Sequence, residues 1–130
     1  MTQVAAIAWT FRRECRNEVE NLLLRYPPPD SLQITDDDGN VVGRMLATAV
    51  FLRDNLVVRV MEFEGPLPEL LRQKSMESTH AEIDRALQQY LEKPADLSTP
   101  EGFRTFFADS AMRCLYFRKP AQDPTGAIAR

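Results

Sequence analysis

The sequence predicts an α+β domain, with an antiparallel sheet and helices on one face in the ferredoxin-like order β-α-β-β-α-β. Three observations lead there. Two long β-rich runs, 41–53 and 56–64, are separated only by Asp54-Asn55. Helix-period stretches precede and follow that pair, the first of them stopped by Pro27-Pro28-Pro29. Short apolar runs with aromatic residues stand at the two ends of the pattern, at 4–11 and 111–118.

Residues 4–11, VAAIAWTF, read as a buried strand. From Glu14 the period changes, and Cys15, Val19, Leu22, Leu23 and Tyr26 fall on one helical face. The three prolines end that helix, because proline lacks the amide donor and its ring clashes with the preceding turn. Asp36-Asp37-Asp38-Gly39-Asn40 is expected to be a solvated turn. An EF-hand needs alternate carboxylates and a Glu six residues past the Gly, where Met45 stands. The runs 41–53 and 56–64 form a hairpin through an Asx-rich two-residue connection. Leu67, Leu70 and Leu71 give one helical turn an apolar face. A helix follows from Thr79 to Leu91, opened by a Thr79/Glu82 capping box and faced by Ile83, Leu87, Tyr90 and Leu91. Ser98-Thr99-Pro100-Glu101 opens another, with Pro at its first position and Phe103, Phe106 and Phe107 as its inner stripe. AMRCLYFR, 111–118, reads as the last strand. The whole is one domain over 1–120, followed by a tail at 121–130.

At 130 residues, 44% hydrophobic and 27% charged, the chain is of globular composition and long enough to fold without disulfides or a structural metal. Its net charge of −3 argues against nucleic-acid or polybasic membrane binding. No apolar run approaches the roughly 18 residues of a membrane span. Arginines follow the first apolar run rather than precede it, the wrong order for a signal peptide. Cys15 and Cys114 sit in apolar patterns and are expected as two reduced, buried thiols of a cytoplasmic protein. No metal-ligand spacing is present, and no cofactor is expected. The strands are apolar on both faces, as in Leu46-Ala47-Thr48-Ala49-Val50-Phe51-Leu52, whereas a sheet with one solvated face should alternate. With no spare helices to cover the second face, a second copy is the simplest cover, giving a dimeric α+β barrel.

The hairpin ATAVFLRDNLVVRVMEFEG, followed by DRALQQYLEKPADLSTPEGFRTFFADSAMR, resembles the SchA/CurD-like family, which accompanies aromatic (type II) polyketide synthases. The resemblance covers about residues 45–118. Ser78-Thr79-His80 departs from the Pro-containing helix start of that family. The resemblance implies a small dimeric α+β barrel acting on a poly-β-ketone or an early polycyclic aromatic in antibiotic or spore-pigment biosynthesis. The expected activity is that of a cyclase or aromatase. Two alternatives stand beside it: a cofactor-independent monooxygenase oxidising an anthrone, and a non-catalytic polyketide-binding or synthase-associated accessory protein. The implied partners are an aromatic polyketide, a second copy of the chain, and the synthase or its acyl carrier protein.

Ring closure needs a base for enolisation and a donor for the oxyanion. Arg59 lies mid-strand between Val58 and Val60, where an unpaired charge is costly. It reads either as a structural ion pair at the dimer face or as an anchor for carbonyls or an enolate. Arg113 interrupts the last strand in the same way. His80 is the one side chain whose ordinary pKa suits proton transfer near neutrality. It reads as a helix-start histidine or as a general acid or base. Trp9, Phe11, Phe51, Phe63, Phe107, Tyr90 and Tyr116 are core residues or the walls of a substrate pocket. Glu62 and Glu64 fall on the strand face opposite Arg59.

Overall fold

A computed structural model describes residues 2–29, 31–76 and 78–119; the side chains at 78–81 lie outside that set, as does the expected tail at 121–130. Four antiparallel strands form one sheet in the order β1-β4-β3-β2: β1 Thr2–Thr10, β2 Gln33–Thr35, β3 Val41–Arg53 and β4 Leu56–Glu64. The two long hairpin strands occupy the ranges the sequence predicts. Asp54 in their turn takes φ 54°, a left-handed conformation that Asx side chains tolerate. Asn55 beside it is buried, and its Nδ2 donates to the Phe11 carbonyl at 3.0 Å, tying the turn to the end of β1. The short β2 is not foreseen by the sequence reading, since three residues are too few to show a period.

The pairing of β3 with β4 sets which side chains face the helices. Met45 is opposite Phe63, but Ala47, not Leu46, is opposite Glu62. Leu46 is therefore the extra residue of a β-bulge, and the in–out alternation reverses there. Thr48, Val50 and Leu52, opposite Met61, Arg59 and Val57, face the helices. Ala47, Ala49 and Phe51, opposite Glu62, Val60 and Val58, face away. Simple period-2 counting from Met45 would put Phe51 inside.

The helices are α1 Arg16–Leu24, preceded by a 3-10 turn over Arg13–Cys15, then α2 Leu67–Met76, α3 Ser78–Gln88 and α4 Pro100–Ser110. α4 begins as the sequence predicts, with Thr99 Oγ1 accepting the Gly102 N–H at 3.0 Å and Pro100 in the first turn. The side chain of Thr79, and with it the predicted capping box, lies outside the described residues. Two apolar clusters result, both on one sheet face. Ile7, Ile34, Met45, Met61 and Phe63 pack with Leu70 of α2 and Phe107 of α4. Phe11, Cys15 and Val57 pack with Val19 of α1 and Leu87 of α3. Trp9 touches both. The Asp36 loop is a turn closed by its own carboxylate, whose Oδ1 accepts the N–H groups of Asn40 and Asp38 at 2.9 and 3.0 Å.

Two expectations are corrected. The segment 111–118 is not a strand: it makes one bridge, Ile7 to Ala111, and one bond from the Met112 N–H to the Ala6 carbonyl. Beyond that point no further pairing with β1 forms among the described residues. The chain leaves the edge, and Lys119 Nζ meets Glu62 Oε1, on the sheet face away from the helices, at 2.6 Å. Cys114 on this segment is consequently exposed, while Cys15 is buried as expected.

Candidate functional site

Between the two apolar clusters the helices leave a gap. It forms a cavity of about 550 Å³ against the sheet. Protein interiors are close-packed, with voids seldom larger than a water molecule, so an opening of this size is not a packing defect. Its floor is Ile7 and Trp9 of β1, Val57, Arg59 and Met61 of β4, and Met45, Leu46, Thr48 and Val50 of β3. Phe103, Phe106 and Phe107 of α4, Leu87 of α3, Leu23 of α1 and Pro27-Pro28-Pro29 complete the wall. Trp9 meets Phe106 edge-on, ring centroids 6.2 Å apart, which fixes two large aromatic surfaces at the chamber's side.

Three polar side chains meet at one wall of this apolar chamber. Arg59 projects from the middle of the central strand β4. Its Nη1 donates to the Tyr26 hydroxyl at 3.4 Å, and its guanidinium carbon lies 5.0 Å from the centre of the Tyr26 ring. Tyr26, at the end of the turn after α1, donates its hydroxyl to Asp84 Oδ1 of α3 at 3.0 Å. Lys74 of α2, only 8% exposed, lines the same chamber. Arg59 Nε is buried and meets no hydrogen-bond partner. A buried donor left unpaired costs roughly 1–3 kcal/mol, so the protein itself leaves part of the Arg59 hydrogen-bonding capacity unmet. Burial pushes the Tyr26 phenol pKa up. The Arg59 guanidinium opposes that shift, and the Asp84 carboxylate adds to it. The phenol therefore stays protonated at neutral pH and acts as a donor.

The described lining thus holds two cations, Arg59 and Lys74, against one carboxylate, Asp84. Among the described residues no three His, Cys, Asp or Glu side chains converge as metal ligands, and no helix is long and apolar enough to cross a membrane.

Of the residues the sequence singles out, Arg59, Trp9 and Phe107 line the cavity. Arg59 belongs to the helix-covered face, not to the outward face where a dimer contact would lie. The others are placed elsewhere. Phe11 and Phe63 are fully buried in the apolar clusters. Tyr90 is half-buried against the second cluster, where its carbonyl accepts the Arg12 N–H at 2.9 Å. Phe51 is turned outward by the bulge and is 59% exposed. Tyr116 is exposed and stacked under Arg118, and Arg113 is exposed on the same segment, because that segment forms no strand. His80 is on α3, but its side chain lies outside the described residues. The sequence reading assigns no site role to Tyr26, Asp84 or Lys74. Tyr26 is visible there only as an apolar helix-face residue, and Asp84 is 58 positions away.

An α+β domain with an apolar chamber between its sheet and helices, charged at one wall, is the class of protein these features define. The chain belongs to the SchA/CurD-like domain family, whose model matches residues 2–118. It is similar to polyketide synthase CurD of Streptomyces cyaneus, 32% identical over 111 residues, or 85% of this chain and 29% of that protein. The 42.8 kDa protein in the whiE locus of Streptomyces coelicolor is 32% identical over 111 residues, 85% of this chain and 26% of that protein. Protein SchA of Streptomyces halstedii is 29% identical over the same length, again 85% of this chain and 28% of that one. The chain therefore spans under a third of the curated relatives it matches. No solved structure matches it.

The raised Tyr26 pKa predicts how stability depends on alkaline pH. A folded state that holds the phenol proton more tightly than the unfolded chain keeps its full stability below the ordinary phenol pKa of about 10. It loses up to about 1.4 kcal/mol per pH unit above it. Denaturant midpoints measured from pH 8 to 11 should fall more steeply for the wild type than for Tyr26→Phe. Parallel profiles would contradict this.

Proposed function

We propose that this chain binds a poly-β-ketone or an early polycyclic intermediate of aromatic polyketide biosynthesis and steers its ring closure. The observation that carries the reading is the apolar chamber with the Arg59 guanidinium at its wall, its hydrogen-bonding capacity only partly met by the protein. A poly-β-ketone closes spontaneously, but to many products. Holding one folded conformer against apolar walls, with a cation at one carbonyl, selects among them. The chamber's volume lies within the ~300–1,000 Å³ typical of small-molecule sites. The name of the Streptomyces cyaneus relative, a polyketide synthase, supports the substrate class. In this reading Arg59 holds a ligand carbonyl as it becomes an enolate, and the aromatic rings of Trp9, Phe106 and Phe107 flank the growing rings.

The assembly proposed with it is a two-fold dimer of ferredoxin-like domains, joined through the sheet faces that carry no helices. Phe51 at 59% exposure on that face, with Leu115 at 80% and Tyr116 at 75% on the segment beyond α4, are apolar surfaces a partner would cover. Pairing of the 111–118 segments in such a dimer would complete the strand that the single chain lacks.

Two outcomes follow. Arg59→Met keeps the aliphatic reach but removes every donor. It should cut directed cyclisation about 100-fold, the usual loss for one oxyanion donor, while the melting temperature holds. An unchanged rate in the folded variant would contradict the role. For the assembly, sedimentation at micromolar concentration should give twice the chain mass, with roughly 1,600 Å² or more buried in total; a monomer would contradict the dimer.

A further inference from the structure

To act on a ketone, the chamber needs a donor for the oxygen and an acceptor for a proton on the neighbouring carbon. Arg59 meets the first need. For the second, Asp84 is the one carboxylate among the described lining residues. Its Oδ1 accepts the Tyr26 hydroxyl at 3.0 Å, and that hydroxyl in turn accepts from Arg59 Nη1 at 3.4 Å. The three side chains come from three separate elements and meet at one wall of an otherwise largely apolar chamber.

We propose that Asp84, oriented by Tyr26, is the general base of this site and takes the α-proton of a 1,3-dicarbonyl ligand whose enolate oxygen Arg59 holds. The inference rests on the chamber being the polyketide site. The Asp84 carboxylate takes one proton from the carbon between two carbonyls. The C–H electron pair becomes the enolate double bond, and negative charge moves to the oxygen facing Arg59. The enolate carbon then attacks a second carbonyl carbon of the same chain. A C–C bond forms, the C=O π pair becomes an alkoxide, and the proton on Asp84 returns to that oxygen. Nothing is oxidised or reduced, and Asp84 ends ionised as it began. A methylene between two carbonyls is far more acidic than one beside a single carbonyl. A carboxylate of nearly ordinary basicity is therefore sufficient once the enolate is stabilised. Tyr26 is a positioning residue: it fixes the carboxylate by donating to it. His80, which the sequence offers for proton transfer, lies one turn earlier on α3 and is the natural comparison.

The test is α-hydrogen exchange on ethyl benzoylacetate, a β-keto ester, with its methylene signal followed by NMR in D₂O against a buffer blank. Binding is read in parallel from the fluorescence of Trp9, the single tryptophan. The wild type should accelerate exchange. Asp84→Asn should remove the acceleration about 100-fold or more while binding stays within about threefold, a loss confined to the proton-transfer step. Asp84→Glu should retain part of it, and Tyr26→Phe should lower it several-fold with binding unchanged. Wild-type exchange in Asp84→Asn overturns the assignment, and so does exchange that is lost in His80→Gln but kept in Asp84→Asn. If Asp84→Asn does not fold, unchanged exchange in both Asp84→Glu and Tyr26→Phe overturns it. Binding without exchange in the wild type overturns the base alone. An ester that does not bind at all overturns the chamber reading, and this inference with it.

Discussion

A guanidinium in the middle of the central strand, on the face covered by helices, is the constraint around which this protein is built. Sealing Arg59 into a packed core would leave a cation without enough acceptors, at a cost of several kcal/mol. The fold leaves a chamber there instead and brings Tyr26 to one side of the guanidinium, with Asp84 behind it. The two apolar clusters stand apart so that this group is neither crushed nor fully wetted, and Trp9 bridges them at the wall. Stability comes from the clusters, and the gap between them holds the guanidinium that a packed core would leave short of acceptors.

The bulge at Leu46 shapes the β3 part of the chamber's floor. By reversing the alternation of β3, it turns Thr48 and Val50 toward Arg59 and Met61 and sends Phe51 to the outer face. One inserted residue thus makes two surfaces at once. The inner one is mixed and open, and the outer one carries Ala47, Ala49 and an exposed Phe51. Bulges commonly stand beside functional sites for this reason: they re-aim side chains without ending the sheet.

Much of the frame is legible in the sequence, because its signals are local. The hairpin is marked by Asp54-Asn55 between two β-rich runs, and the start of α4 by Thr99-Pro100. Arg59 stands out as a charge inside an apolar run. What is not legible depends on contacts distant in sequence. No residue type marks Leu46 as a bulge, so Phe51 counts as inward when it is outward. The pairing of Tyr26 with Asp84 joins two helices that share no local pattern. The segment 111–118 has strand composition, yet composition cannot say whether a neighbouring strand edge offers it enough packing. Phe11 and Phe63 show the converse limit: aromatic residues on the inward face are as readily core as pocket wall.

The central claim is that the chamber receives a carbonyl-rich aromatic ligand and that Arg59 holds it. Trp9 lines that chamber and is the single tryptophan, so its fluorescence reports occupancy directly. Titration with a hydroxylated anthraquinone should give saturable quenching at one site per chain. Arg59→Met should weaken the affinity about tenfold, or roughly 1.4 kcal/mol. Quenching that does not saturate, or a dissociation constant unchanged in Arg59→Met, would contradict the account.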